Sequence, residues 1–160
     1  MHYRNKNMII QYVLIFGLVL LDQLVKWWTV SNLSLYTDQS IIDNILSLFY
    51  IQNDGAAWGI LSGQMWLFYI ITVVVIIGLF YMLHTDGKQH VLLRTALSFL
   101  IGGAIGNFID RLHLNYVIDM FRLKFINFPI FNIADVALTI GVILLIFFVF
   151  FGNHELEESE

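Results

Sequence analysis

Residues 132–151 read NIADVALTIGVILLIFFVFF, and their reading decides the fold. As a helix rising about 1.5 Å per residue, this stretch reaches about 30 Å, the thickness of a bilayer's hydrocarbon core. Its single charged residue, Asp135, lies near the start, so the rest can sit in lipid. Working outward, residues 9–28, 65–83 and 91–109 have the same character, which predicts four membrane-spanning helices. The composition agrees. Of 160 residues, 59% are hydrophobic and 12% charged, whereas a soluble domain carries about 25% charged residues to cover its surface. The expected fold class is an all-α membrane protein, organised as one polytopic domain over residues 1–160.

Arg4 and Lys6 precede the first span as in a secretory signal, but the apolar run is long and no small-residue cleavage site follows, so it is read as a retained helix. Asp86-Gly87 favours a tight turn between the second and third spans, making them antiparallel neighbours. The connection over residues 29–64 differs in kind. Leu48-Phe49-Tyr50-Ile51 is β-prone and runs into Asn53-Asp54-Gly55, which predicts a small extramembrane sheet. Ala56, Ala57, Trp58 and Ile60 suit a position at the membrane interface. The connection over residues 111–131 falls on the same side. The acidic tail, 152–160, is expected to be solvated and disordered.

Orientation rests on the first helix. Arg4 and Lys6 place the N-terminus in the cytoplasm by the positive-inside rule, and an even number of spans puts both termini there. The whole-chain count is balanced, with Arg4, Lys6, Lys88 and Arg94 inside against Lys26, Arg111, Arg122 and Lys124 outside. The chain has no cysteine, which excludes disulfides, thiolate nucleophiles and thiolate metal sites. No basic stripe with interleaved aromatics is present, so no nucleic-acid partner is expected. His84, His90 and His113 lack partners at metal-ligand spacing, and no metal or cofactor is expected.

Charged groups at membrane depth are costly and point to function. Asp22, Asn53, Asn107, Asp110, Arg111, Asp119, Asn132 and Asp135 all come to one boundary of the membrane, which implies one polar site. Asp22 and Lys26, four residues apart, share a helix face and also fit a simple ion pair with Lys26 snorkelling. Gly102 and Gly106 allow close helix approach, so Asn107 and Arg111 also fit a packing seam that ends in an interfacial arginine. Asn132 and Asp135 fit an N-cap and a dipole-favoured N3 residue as well as they fit a catalytic site. What favours a site is Asp119, on a loop that can fold back to the same helix end. Two carboxylates brought together share a proton and can serve as general base and general acid in peptide hydrolysis. A proton or ion pathway is the non-enzymatic alternative, but it predicts acids spread through the membrane depth.

Asn53-Asp54-Gly55-Ala56-Ala57-Trp58-Gly59, Gly106-Asn107-Phe108-Ile109-Asp110-Arg111 and Phe131-Asn132-Ile133-Ala134-Asp135, with Asp22-Gln23, Lys26 and Val117-Ile118-Asp119, resemble the motifs of the lipoprotein signal peptidases (signal peptidase II). The resemblance covers essentially the whole chain. It implies a four-helix fold with an extracytoplasmic β-cradle and a short interfacial helix. It implies an aspartic endopeptidase of the bacterial cytoplasmic membrane, cleaving prolipoproteins before a cysteine that already carries diacylglycerol. Asp119 and Asp135 correspond to the catalytic pair. Asp22, Asn53, Gly55, Asn107, Arg111 and Asn132 correspond to substrate-binding and supporting positions, and Asp110 to a structural one. Partners are then the diacylglyceryl-modified signal peptide and membrane lipid, with the chain acting as a monomer. Trp58, Phe108 and Phe131 are expected to ring the site. The chain departs from the resembled pattern at Met120, where Phe more often follows the aspartate directly.

Overall fold

Apolar runs without charge can satisfy their backbone in lipid only as helices. The computed structural model describes residues 2–55, 60–88 and 90–151. It contains helices α1 (His2–Asn32), α2 (Met65–His84), α3 (Val91–Leu114) and α4 (Ile133–Phe151), each with a stretch long and apolar enough to cross a membrane. Phe16, Val74, Ile77 and Phe150 stay exposed on the faces that lipid would cover. On α1 the usual distribution is inverted. Gln11, Ile15, Asp22, Lys26 and Thr29 recur at helical spacing and are buried, so the polar side of this helix faces the protein.

Helix α3 is central and packs against α1, α2 and α4. Its glycines explain how. A Cβ on Gly102 would lie 3.0 Å from Leu18 of α1, and one on Gly103 would lie 2.5 Å from the Ala134 carbonyl of α4. A Cβ on Gly106 would sit 2.7 Å from Asp22 Oδ2 and 3.1 Å from Ala134 Cβ, so this position touches both neighbours. The small-residue seam read from Gly102 and Gly106 is therefore two seams. Helix α3 also runs five residues beyond its expected end at Ile109, which keeps Asp110 and Arg111 on the helix. Asp110 is buried with its charge matched by Lys26, so the helix does not have to end where charge begins. It stops at Asn115, whose φ of 61° is the left-handed cap conformation that asparagine tolerates.

Strands β1 (Asp38–Ile42), β2 (Leu46–Asn53) and β3 (Val117–Leu123) form one antiparallel sheet in the order β1-β2-β3. The sheet expected within residues 29–64 thus takes its third strand from the second connection. Pairing of Asn53 with Val117 and Ile51 with Asp119 brings the end of β2 beside the aspartate. Met120, the point of departure from the resembled pattern, is fully buried with Leu33, Tyr50 and Ile118 under the sheet. The segment expected at the interface falls largely outside the described residues; residues 60–63, which follow it, form turns, with φ of 60° at Leu61 and 79° at Gly63. Ala56, Ala57, Trp58 and Gly59, and the tail 152–160, lie outside the described residues.

The close approach of α3 and α4 predicts a contrast among glycines. Gly103→Ala and Gly106→Ala should each destabilise the protein by about 1–3 kcal/mol through overpacking. Gly78→Ala, with nothing within 4 Å of its added Cβ, should not. Thermal unfolding in one detergent compares the three. Unfolding of all three at the wild-type temperature would show that the helices do not meet at these glycines.

Candidate active site

The site starts from the inverted face of α1. Lys26 Nζ lies 2.9 Å from both Asp22 Oδ2 and Asp110 Oδ2, and donates to Asn107 Oδ1 at 3.1 Å. This is no surface pair, because all three charged groups are almost completely buried. Each carboxylate has a further backbone partner. Asp22 Oδ1 accepts the Ala134 amide at 2.9 Å, and Asp110 Oδ2 accepts the Ile118 amide at 3.0 Å. Gln23 Nε2 bridges the Gly106 carbonyl at 3.2 Å and Asp110 Oδ1 at 3.0 Å. One ammonium thus ties α1 to α3, while its two counter-ions reach the start of α4 and the start of β3.

Asn132 caps α4 reciprocally. Its Oδ1 accepts the Asp135 amide at 2.9 Å, and its own amide donates to Asp135 Oδ2 at 3.1 Å, a capping box with aspartate at N3. The N-cap reading of this segment therefore holds, and the same asparagine also reaches Asp119. Asn132 Nδ2 donates to Asp119 Oδ1 at 2.7 Å and to Asn107 Oδ1 at 3.0 Å. Asn53 Nδ2 donates to Asp119 Oδ2 at 2.9 Å, and Asn107 Nδ2 to Asp135 Oδ1 at 2.8 Å. Every oxygen of the two carboxylates is thus held by its own N–H.

Asp119 and Asp135 line a cleft of about 170 Å³ together with Asn53, Gly55, Asn107 and Arg111. Phe131 and the segment Phe128-Pro129-Ile130 form much of its apolar wall. The Gly55 amide donates to Asn53 Oδ1 at 3.0 Å, turning the chain away at the rim. Asp22 and Asn132, grouped with the substrate-binding residues from the sequence, lie behind the wall. Both are fully buried and spend their hydrogen bonds on protein groups. Arg111 faces the cleft with its guanidinium carbon 4.7 Å from the centroid of the Phe68 ring, and its Nε has no partner among the described residues. Phe108, expected at the rim, instead packs edge-on against Tyr69 of α2 with 6.4 Å between ring centroids. Tyr69 Oη also lies 2.9 Å from both the Arg111 carbonyl and Asn115 Oδ1, its one O–H shared between them, and so braces the end of α3.

The sequence reading missed the bridging role of Gln23, the brace from Tyr69 and the Phe128-Pro129-Ile130 wall. Two of these carried a signal: Gln23 stands in the Asp22-Gln23 motif, and Pro129 is the chain's single proline. Burial is the main force pushing the Asp119 carboxyl up to about 7, and the neighbouring Asp135 charge pushes the same way. The amides of Asn53 and Asn132 and the charge of Lys26 pull against this. Folding therefore takes up a proton at Asp119 between its ordinary value of 3.8 and about 7. More protons bound in the folded state means that this contribution to stability falls as pH rises through that window. Asp119→Asn should flatten the fall, leaving the variant more stable than wild type at pH 8 and similar to it near pH 4. Parallel stability–pH curves for the two proteins would contradict the raised value.

A model of the signal peptidase (SPase) II family matches residues 14–151. The chain is 54% identical over 132 residues to a lipoprotein signal peptidase of Latilactobacillus sakei, covering 81% of this chain and 87% of that protein. It is 46% identical over 150 residues to a lipoprotein signal peptidase of Bacillus pumilus, covering 92% and 97%. A solved bacterial membrane enzyme, 38% identical, superimposes with a TM-score of 0.85 over 88% of this chain and 87% of that one. With the matched region spanning all four helices, the sheet and the aspartate cleft, the chain belongs to the signal peptidase II family.

Proposed function

We propose that Asp119 and Asp135 are the catalytic pair of this enzyme, and that they cleave the peptide bond before a diacylglyceryl-modified cysteine. As a member of its family the chain is a multi-pass bacterial membrane aspartic peptidase that processes lipoproteins. The observation that carries the assignment is the separate N–H anchor on each of the four carboxylate oxygens, which fixes both groups at one cleft. A water held between them loses a proton to the anionic carboxylate as its oxygen attacks the scissile carbonyl. The protonated carboxyl, a role that fits Asp119, gives its proton to the leaving nitrogen as the C–N bond breaks. The products are a signal-peptide carboxylate and the free α-amino group of the cysteine. Asn53, Gly55, Asn107 and Arg111 are proposed to position the substrate backbone, and Asp22 and Asn132 to position the pair from behind.

Lipid on the substrate fits the place of the cleft. The helix residues Asn107, Arg111 and Asp135 put it at the ends of the membrane-spanning bundle, so acyl chains can stay in the bilayer while the scissile bond reaches the carboxylates. Each buried methylene contributes about 0.8 kcal/mol, enough for two acyl chains to supply much of the affinity and fix the register. The working unit is proposed to be a monomer. Asp119→Asn and Asp135→Asn should each lower cleavage of a diacylglyceryl-modified prolipoprotein by at least about 10³-fold, with the protein still folded. Removing the lipid should raise KM and lower kcat together, and chelators should change neither. Wild-type turnover by either variant, equal rates on unlipidated substrate, or loss in chelator with recovery in zinc would each contradict this reading.

Both termini are proposed to be cytoplasmic, with the sheet and the cleft outside. Arg4, Lys6, Lys88 and Arg94 support this orientation; of the four cations opposing it, Lys26 and Arg111 belong to the site, and Arg122 and Lys124 lie on the sheet beside Asp38. A cysteine replacing Asp43, in the exposed turn between β1 and β2, should react with an impermeant thiol reagent in intact cells. Labelling only after the cytoplasm is opened would reverse the orientation.

A further inference from the structure

The cleft at the aspartates does not end there. Asn53, Phe128, Pro129 and Ile130 also form one wall of a second groove, of about 480 Å³. The two halves differ in what lines them. The cleft takes Asn107, Arg111 and Asp135 from the transmembrane helices, whereas the groove is built wholly from β2, β3 and the turns after them. Beyond the groove a third depression continues past Arg122, Asn127 and Phe128 to Lys124 and Asp38. These surfaces make one track leading from the carboxylates out over the sheet, away from the helix ends.

A signal peptide is an apolar segment and belongs among the helices. The part of the substrate that leaves the membrane is the part after the cleaved bond, and the track runs in that direction. Its far end carries a surplus of positive charge. Arg122 and Lys124 share a single carboxylate, Asp38 Oδ2, each at 3.4 Å. Arg122 is also held over the Phe49 ring, 5.1 Å from its centroid, while remaining partly exposed. At the near end the acidic group is Asp54, which accepts a hydrogen bond from Ser62 at 2.6 Å. Asn53, bonded to Asp119, marks the near end, and Phe49 lies four residues back along β2. At about 3.3 Å per residue that is about 13 Å, or about four residues of extended chain.

We propose that this track is the subsite for the first residues of the mature lipoprotein, and that Arg122 selects an acidic side chain about four residues beyond the scissile bond. The inference rests on Asp119 and Asp135 being the catalytic pair. The test uses the full-length protein in neutral-lipid vesicles with diacylglyceryl-modified peptides carrying Asp, Ser or Lys at each of the second to sixth positions after the cleaved bond. The quantity read is the Asp-to-Lys ratio of kcat/KM on one and the same enzyme, so that a general loss of activity in a variant cancels. Wild type should prefer Asp about fivefold at one of the third to fifth positions and show no such preference at the second. Arg122→Gln should abolish the preference, and Arg122→Glu should invert it. The same ratio in all three proteins, or no charge preference at any position in wild type, overturns the proposal. So does an effect of Arg122→Glu that is equal for every peptide and present only with anionic vesicles, which would make the arginine a membrane contact. Asp119→Asn serves as the separate control: cleavage by that variant would refute the catalytic pair, whereas an inactive variant with unchanged ratios at Arg122 would refute the subsite alone.

Discussion

The buried ammonium of Lys26 is the constraint on which the rest of this structure depends. Membrane interior offers no water to an unpaired ion, so the helices must arrange themselves to neutralise it. Asp22 and Asp110 both lie 2.9 Å away, and their remaining charge is spread onto the Ala134 and Ile118 amides and Gln23. Such a cluster is poor evidence of extra stability, because an apolar replacement of the whole set can do as well. What it supplies is a meeting point: three helices and a strand each place a group on this one ammonium or its two counter-ions.

From that cluster the order passes to the aspartates through two asparagines. Asn107 accepts a hydrogen bond from Lys26 on its carbonyl oxygen and donates one to Asp135 from its amide nitrogen. Asn132 joins Asp135, Asn107 and Asp119 while capping α4. Amide side chains suit this work, since each is donor and acceptor at once and neither end changes charge when a neighbouring carboxyl exchanges a proton. The capping box is thus one structure with two consequences. It satisfies the start of α4, and it orients the Asp135 carboxyl at the cleft.

The sheet completes the site from outside the bundle. Pairing of β2 with β3 sets Asn53 against Asp119, and the bridge between Phe121 and Phe131 folds the last connection back so that Phe128-Pro129-Ile130 closes the wall. The result is a small cleft between the helix ends and the sheet, in which burial pushes the Asp119 carboxyl up to about 7.

Much of this was legible in the sequence, because bilayer thickness fixes helix length and lipid penalises every stray charge. Four apolar runs gave four helices, and the residues that violate the apolar rule, Asp22, Lys26, Asn107, Asp110, Asp119, Asn132 and Asp135, proved to be neighbours. Spacing alone left Asp22–Lys26 as a possible surface pair and Asn132–Asp135 as a possible plain cap, since one helix face is compatible with either environment. Contacts between elements decided those cases. The end of α3 five residues late, the recruitment of β3 into the sheet, the turn of Phe108 toward Tyr69 and the withdrawal of Asp22 and Asn132 behind the cleft all depend on partners far away in the chain. Local pattern records which residues need a partner; only the packed bundle determines which partner each one finds.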